Sequence, residues 1–371
     1  MAEVFAIDLR ADGKYRDFRE KIALVFGTGQ LAEIIPGGKK VTFVKANYCP
    51  PGFTRHIRPA YLKGIVEKIK ELGGFPAVAD TSAYFPVGAV MGGYWQEAAV
   101  AMGYTEESLG CDRFIANGYE GDDGEFISTG GAELGGVEVA RAFREAECLV
   151  VVTHVTAHPM AGMAGAIVNT AVEFLNNSGK ARIFEGMVPE WEKSLCNGCG
   201  ACAACCQWGA LKLEDKKLFY DPALCAGCGL CLAACPAKAL YLPPQKVSIF
   251  QKRVAEAPGA LLKTLKKKAV FVNLLFDIVP QTYRHPWCDV PFVPDLGVLV
   301  SRDPVAVDSL TYDMVTWAQG LPNSAAERAK VMEKGTDKFA GITGIDPRAV
   351  LEGAEEMGLG KRDYEVLTLR G

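Results

Sequence analysis

The sequence predicts an α/β protein: a mostly parallel sheet covered by helices, interrupted by a small cysteine-rich insert of α+β type. Three observations carry this. Short β-branched apolar runs alternate with amphipathic helical stretches on both sides of the insert. Nine of the 13 cysteines fall within the 40 residues Cys196–Cys235. The chain after the insert begins with a helix and a buried-type strand, which suits completion of an existing sheet. The expected organisation is one α/β domain built from residues 1–190 and 245–371, with residues 191–244 inserted. Three domains in a string is the alternative.

The elements follow in order. Val41–Lys45 is a short β-branched run that reads as a buried strand. Pro59 opens a helix with Tyr61, Leu62, Ile65, Val66, Ile69 and Leu72 on one stripe, and Gly73-Gly74 ends it. Ala77–Ala79 follows as a strand. Val137–Ala146 reads as helix, Leu149–Thr153 as strand and Ala164–Asn176 as helix. Within the insert, Ala210–Leu213 and Leu218–Tyr220 read as short strands around the charged turn Glu214–Lys217. Beyond it, Ala269–Phe276 and Val298–Ser301 are strands. Asp303-Pro304 caps a helix running to about Trp317, and Asp346-Pro347 caps one that stops near Gly358.

Composition narrows the function classes. Apolar residues are 49% and charged residues 23%, as in globular proteins with a real core. Forty Lys+Arg against 44 Asp+Glu leave a charge of −4, and no basic stripe interleaves with aromatics, so no nucleic-acid partner is expected. Lys266–Lys268 is most simply a solvated helix end. No apolar run approaches a membrane span. Met1-Ala2-Glu3-Val4 lacks a basic region before an apolar stretch, so no signal peptide is expected. The expected compartment is a reducing cytoplasm.

The cysteine spacing is the sharpest signal. Cys225-x2-Cys228-x2-Cys231-x3-Cys235-Pro236 is the ligand run of a bacterial-type ferredoxin. Cys196-x2-Cys199-x2-Cys202-x3-Cys206 repeats it 29 residues earlier. A disulfide framework belongs to small secreted domains and fits poorly. Zinc wants two pairs of ligands separated by a longer gap. Three closely spaced thiolates wrap one cubic cluster, and the fourth reaches the other. One [4Fe–4S] cluster is therefore assigned to Cys196, Cys199, Cys202 and Cys235. The second is assigned to Cys225, Cys228, Cys231 and Cys206. Cys205 reads as a small packed thiol, and Gln207 replaces the proline that normally follows the fourth cysteine. The insert is thus expected to be a ferredoxin-like two-cluster module.

These residues, with motifs elsewhere, resemble the ferredoxin-containing branch of the domain-of-unknown-function 362 family, iron–sulfur proteins common in anaerobic bacteria and archaea. Val44-Lys45-Ala46-Asn47 resembles its early Lys-x-Asn strand end, and His154–Pro159 with Gly162 and Gly165-Ala166 its paired-His segment. Cys288-Asp289, Val293–Gly297, Asp303–Asp308 and the tail Gly358–Tyr364 resemble its late motifs. Val168 stands where the family pattern has Lys, and Val290 where it has a second Cys. The resemblance spans nearly the whole chain and implies little chemistry, because the family is named for its unknown function.

Outside the insert, His154 and His158 follow a predicted strand, where ligands of parallel sheets sit. They suit substrate binding, proton transfer or a metal; plain hydrogen bonds to backbone are the bland alternative. Lys45 and Asn47 end another strand, where they suit an anionic ligand, or are a surface Lys beside a turn. Cys288 lies near His285 and Asp289, as a reactive thiol, a metal ligand or a packed cysteine. Asp308 faces either a site or solvent. Cys49, Cys111 and Cys148 read as buried thiols.

Gly27-Thr28-Gly29 lacks the third Gly of a dinucleotide fingerprint, and Gly37-Gly38-Lys39-Lys40 lacks the phosphate-loop spacing. No bound NAD or ATP is expected; a flavin or further metal is left open. The expected function is a ferredoxin-linked oxidoreductase: two clusters relay electrons between a redox partner protein and a small-molecule substrate held near Lys45, Asn47, His154, His158, Cys288 and Asp308. The alternatives are a non-catalytic carrier, a docking or assembly partner of a larger redox enzyme, or a metal-cofactor handling protein. A homo-oligomer is compatible with either.

Overall fold

A computed structural model describes the chain except residues 12–13, 15–16, 29–30, 38–39, 85–90, 266–267 and 370–371. The chain begins with β1 (Ala2–Ile7), β2 (Val41–Lys45), β3 (Phe75–Asp80) and β4 (Arg113–Ile115). A hairpin follows, β5 (Gly124–Ser128) with β6 (Gly136–Ala140). Next, β7 (Cys148–His154) leads into a second hairpin, β8 (Thr156–His158) with β9 (Gly162–Ala164). The cysteine-rich stretch carries β10 (Glu190–Trp191), β11 (Leu211–Glu214), β12 (Lys217–Tyr220) and β13 (Leu240–Tyr241). Last come β14 (Ala269–Leu275), β15 (Gly297–Ser301) and β16 (Tyr364–Thr368).

Eight strands form the central sheet, in the order β16-β1-β15-β14-β7-β2-β3-β4. Only β15 runs against its neighbours, so the sheet is mostly parallel. Strands from both sides of the cysteine-rich stretch meet where β14 pairs with β7. Every residue of β7 and β14 is buried, as parallel strands covered on both faces require. Alternate residues serve opposite layers. Val150 and Val152 face the helices Phe18–Gly27 and Pro59–Glu71, while Leu149 and Val151 face Ala166–Val172 and Pro304–Trp317. The strand order reverses between β2 and β7. Their carboxyl ends, Lys45 and His154, flank the crevice that such a reversal opens.

Two readings from the sequence change. Val137–Ala146 is strand β6 followed by the short helix Arg141–Arg144, not one helix. Val137 and Val139 are buried on either side of Glu138, and this period of two wins once β5 is available as a partner. The helix expected over Ala164–Asn176 spans only Ala166–Val172, because Gly162–Ala164 is drawn into the β8–β9 hairpin. Lys266, Lys267, Gly29, Gly38 and Lys39, which entered the sequence reading, lie outside the described residues.

The cysteine-rich stretch repeats its backbone at the same interval as its sequence. The 3-10 turns Lys193–Leu195 and Pro222–Leu224 are each capped by an acid, Glu192 and Asp221, and each ends at a cysteine, Cys196 and Cys225. The helices Ala201–Cys205 and Leu230–Ala234 start after Gly200 and Gly229, at φ 78° and 72°, where a side chain would be strained. Both end on a cysteine cap, Cys206 and Cys235. The strand pairs match as well: Trp191 opposes Leu240 as Tyr220 opposes Leu211.

Candidate functional site

The repeat gathers the cysteines around two small cavities. Cys196, Cys199, Cys202 and Cys235 line the first. Cys206, Cys225, Cys228 and Cys231 line the second, together with Cys205. Cys205 occupies the position of Ala234 in the second half of the repeat, and its thiol donates to the Cys202 carbonyl at 3.2 Å. Burial pushes that thiol up to about 12. Backbone N–H groups approach the sulfurs: Ala239 N lies 3.3 Å from Cys235 Sγ. The two cavities differ in surroundings. Cys199 is exposed, whereas the second loop packs on the sheet domain. A side chain at Gly227 would strike the Phe184 carbonyl, and one at Gly229 would strike Met160.

A polar pocket sits at the crevice between the ends of β2 and β7. Asn47, Thr153, His154, Thr156, His158, Asn169, Glu173, Thr282, Tyr283 and Arg284 contribute its polar walls. His154 places Nε2 at 2.9 Å from the Phe276 carbonyl and 3.1 Å from that of Asp277. Carbonyls only accept, so Nε2 carries the proton and Nδ1 is bare. Burial, the largest influence, holds His154 below its usual pKa. His158 is oriented the other way. Its Nδ1 accepts from Met160 N and Ala161 N at 3.2 and 3.0 Å. In the neutral ring the proton is then on Nε2, which faces Arg284 Nη2 at 3.0 Å. Burial and the Arg284 charge hold His158 well below the usual histidine pKa.

Beneath the pocket lies a buried charge network. Lys45 Nζ meets Asp80 Oδ1 at 2.9 Å, and Asp80 also accepts from Tyr48 N and Thr81 N at 2.8 Å. Lys180 Nζ meets Glu173 Oε2 at 3.2 Å and donates to Thr81 Oγ1 at 2.7 Å. Asn169 holds Thr153 Oγ1 at 2.9 Å and faces Asn47 Nδ2 at 3.4 Å. Arg284 lies over the Phe184 ring at 4.9 Å, and its charge reaches the Cys228 thiol.

Of the residues picked from sequence, Asn47, His154 and His158 share this pocket, and Lys45 supports it from below. Cys288 does not line it; the thiol lies 3.4 Å from Thr54 Oγ1 and packs against Cys49, Phe53 and Val279. Asp308 does not line it either. Its carboxylate accepts from Ala166 N at 2.7 Å, Ile167 N at 2.9 Å and Asn273 Nδ2 at 2.7 Å, capping the helix Ala166–Val172. Sequence reasoning missed Arg284, Tyr283, Glu173, Lys180 and Asp80. Only Arg284 and Tyr283 carried a signal, by standing beside the noted His285. Among the described residues no three Cys, His, Asp or Glu side chains converge as ligands of a single metal ion. Among the same residues no helix is long and apolar enough to cross a membrane.

Residues 42–313 match the family model described as Domain of unknown function (DUF362), and the chain belongs to that family. Among solved structures, the lactate racemase apoprotein from Thermoanaerobacterium thermosaccharolyticum aligns over 99% of this chain and 83% of its own, at 9% identity and a TM-score of 0.41. No curated protein matches the sequence.

Proposed function

We propose that this is an iron–sulfur redox protein in which two [4Fe–4S] clusters carry single electrons to or from a small molecule in the polar pocket, most simply as a reductase. One observation carries the reading: the 29-residue structural repeat gathers thiols from both of its halves around each of two cavities, three from one half with Cys235 at the first and three from the other half with Cys205 and Cys206 at the second. The donor set fits the group. A single zinc ion would draw its thiolates to about 3.8 Å from one another, given Zn–S bonds of about 2.3 Å. Two sets of thiols in a doubled x2-x2-x3 spacing, with a backbone N–H beside Cys235 Sγ, suit a pair of cubic clusters. The insert is then a ferredoxin-like module within one α/β domain formed by the flanks. Cys206, the counterpart of Cys235, is the fourth ligand of the second set.

When bound, such clusters supply one-electron transfer, usually at low potential. The chain's own residues do the rest. Gly227 and Gly229 let the second loop close on Phe184 and Met160, on the pocket side of the insert. Arg284 stands between that loop and His158. His154 presents a bare Nδ1 and His158 an Nε2 proton, so the pocket holds both a proton acceptor and a proton donor. Most of the pocket walls are buried side chains. An external ferredoxin or reductase would dock at the other end, near exposed Cys199, Leu195 and Phe219. Those exposed apolar side chains also favour a second reading, an electron carrier that docks on a larger enzyme.

Anaerobic purification tests this. About eight iron and eight sulfide per chain are expected, with a brown absorbance and a paramagnetic signal after dithionite. Colourless, iron-free protein would end the redox reading. Given clusters, reoxidation of reduced protein by its true acceptor should slow sharply in the His154→Ala/His158→Ala variant. An unchanged rate would favour the carrier.

A further inference from the structure

The charges around the polar pocket do not balance. Lys45 is taken by Asp80 and Lys180 by Glu173, each pair buried. Arg284 is the third cation of the group, 4% exposed, and no carboxylate lies within ion-pair distance of it among the described residues. Its Nη1 is buried with no hydrogen-bond partner. Its Nη2 faces His158, whose Nδ1 already accepts from two backbone N–H groups that cannot turn away. Two donors, Nη2 and Nε2–H, thus confront each other across 3.0 Å. A buried guanidinium left so is costly. One anionic oxygen beside both donors would satisfy them, and a second would reach Nη1.

We infer that this pocket binds a small monoanionic carboxylate on Arg284 and His158. This rests on the reading of the pocket as the substrate site, and it names the substrate class. The planar fork of Arg matches the two oxygens of a carboxylate. Lys45–Asp80 and Lys180–Glu173 pair off and leave Arg284 as the cation facing the pocket, so a monoanion suits it, whereas a dianion would bury a second negative charge beside Glu173. Tyr283, whose phenol burial and Glu173 keep protonated, and Asn47 supply further neutral polar groups on the walls. The Glu173 carboxylate lines the same pocket, but Lys180 engages it.

The test is anaerobic calorimetric titration of the full-length oxidised protein with propionate, propionamide and inorganic phosphate. Propionate should bind saturably at one site per chain, with its neutral isostere and phosphate each about tenfold weaker or worse. Arg284→Gln should lose about tenfold or more, and Arg284→Lys should fall between, since it keeps the charge and loses the fork. Absence of saturable propionate binding, equal affinity for propionamide, tighter binding of phosphate, or an unchanged Arg284→Gln would each overturn the assignment. Should Arg284→Gln not fold, the wild-type comparison of the three probes decides alone. Colourless protein that still selects propionate would sink the redox reading and keep this site. Brown protein indifferent to propionate would do the reverse.

Discussion

At the scale of single residues, His158 shows how a short motif acquires its chemistry from surroundings the motif does not contain. The sequence placed it beside His154 at a strand end, and its neighbours then assign its proton. Protonating Nδ1 would set a third N–H against Met160 N and Ala161 N, with Arg284 close by. Burial first, then Arg284, therefore depresses its pKa in the folded protein. The unfolded chain takes up that proton near pH 6.5. Stability from His158 is thus present above about pH 6.5 and is lost as pH falls below it. In denaturant unfolding, the advantage of wild type over His158→Gln should shrink between about pH 7.5 and about pH 5.5. A difference independent of pH would show that the donors do not set its protonation. Arg284 was not legible in the same way. A lone Arg in a loop carries no spacing, and only the fold brings it to His158 from 126 residues away.

At the scale of elements, Asp308 and Gly165 form one device. The helix Ala166–Val172 begins with orphan N–H groups, and the Asp308 carboxylate, carried by Pro304–Trp317, accepts two of them. A Cβ at Gly165 would collide with that carboxylate, so glycine is required there by close approach rather than by its φ of −115°. Asp308→Asn and Gly165→Ala should each destabilise the protein by about 1–3 kcal/mol. Because both break the same contact, the double variant should lose less than the two effects added, by about 0.5 kcal/mol or more. Strict additivity would mean that the two residues act separately. Sequence showed that Asp303-Pro304 starts a helix, and it does, with Asp303 accepting from Val305 N and Ala306 N at 2.9 Å. It did not show that Asp308, one turn on, caps a different helix. The β6 segment was misread for a related reason: its Val137–Val139 alternation becomes decisive only beside β5.

At the scale of the whole molecule, the chain leaves the sheet domain and returns to it at one place. Glu190 pairs with Tyr241, so the two ends of the cysteine-rich stretch lie side by side. Central strands β7 and β14 precede and follow that stretch, yet they pair directly. Replacing residues 191–240 by a short Gly-Ser linker should therefore leave the α/β circular-dichroism spectrum in place. The melting temperature should fall, because Met160, Phe184 and Met187 lose the cover of Gly227 and Gly229. A disordered product would mean that the flanks depend on the insert to fold. The same variant should lose every trace of the proposed brown chromophore.

By itself, the sequence determined the alternating α/β pattern, the capped helices and the doubled cysteine spacing. Each is written in neighbouring residues, through side-chain period, capping chemistry or the reach of one short loop. Strands β1 and β16 escaped it, since half-exposed strands at the sheet edge, such as Tyr364–Thr368, or next to it, such as Ala2–Ile7, lack the continuous burial that marks β7. Only the tertiary structure decided that Cys205 also lines the second cavity, that Cys288 and Asp308 stand apart from the His pair, and that Arg284 completes the pocket. Those are relations between residues far apart in the chain, fixed by the strand order of one sheet, and local sequence does not encode which strands will be neighbours.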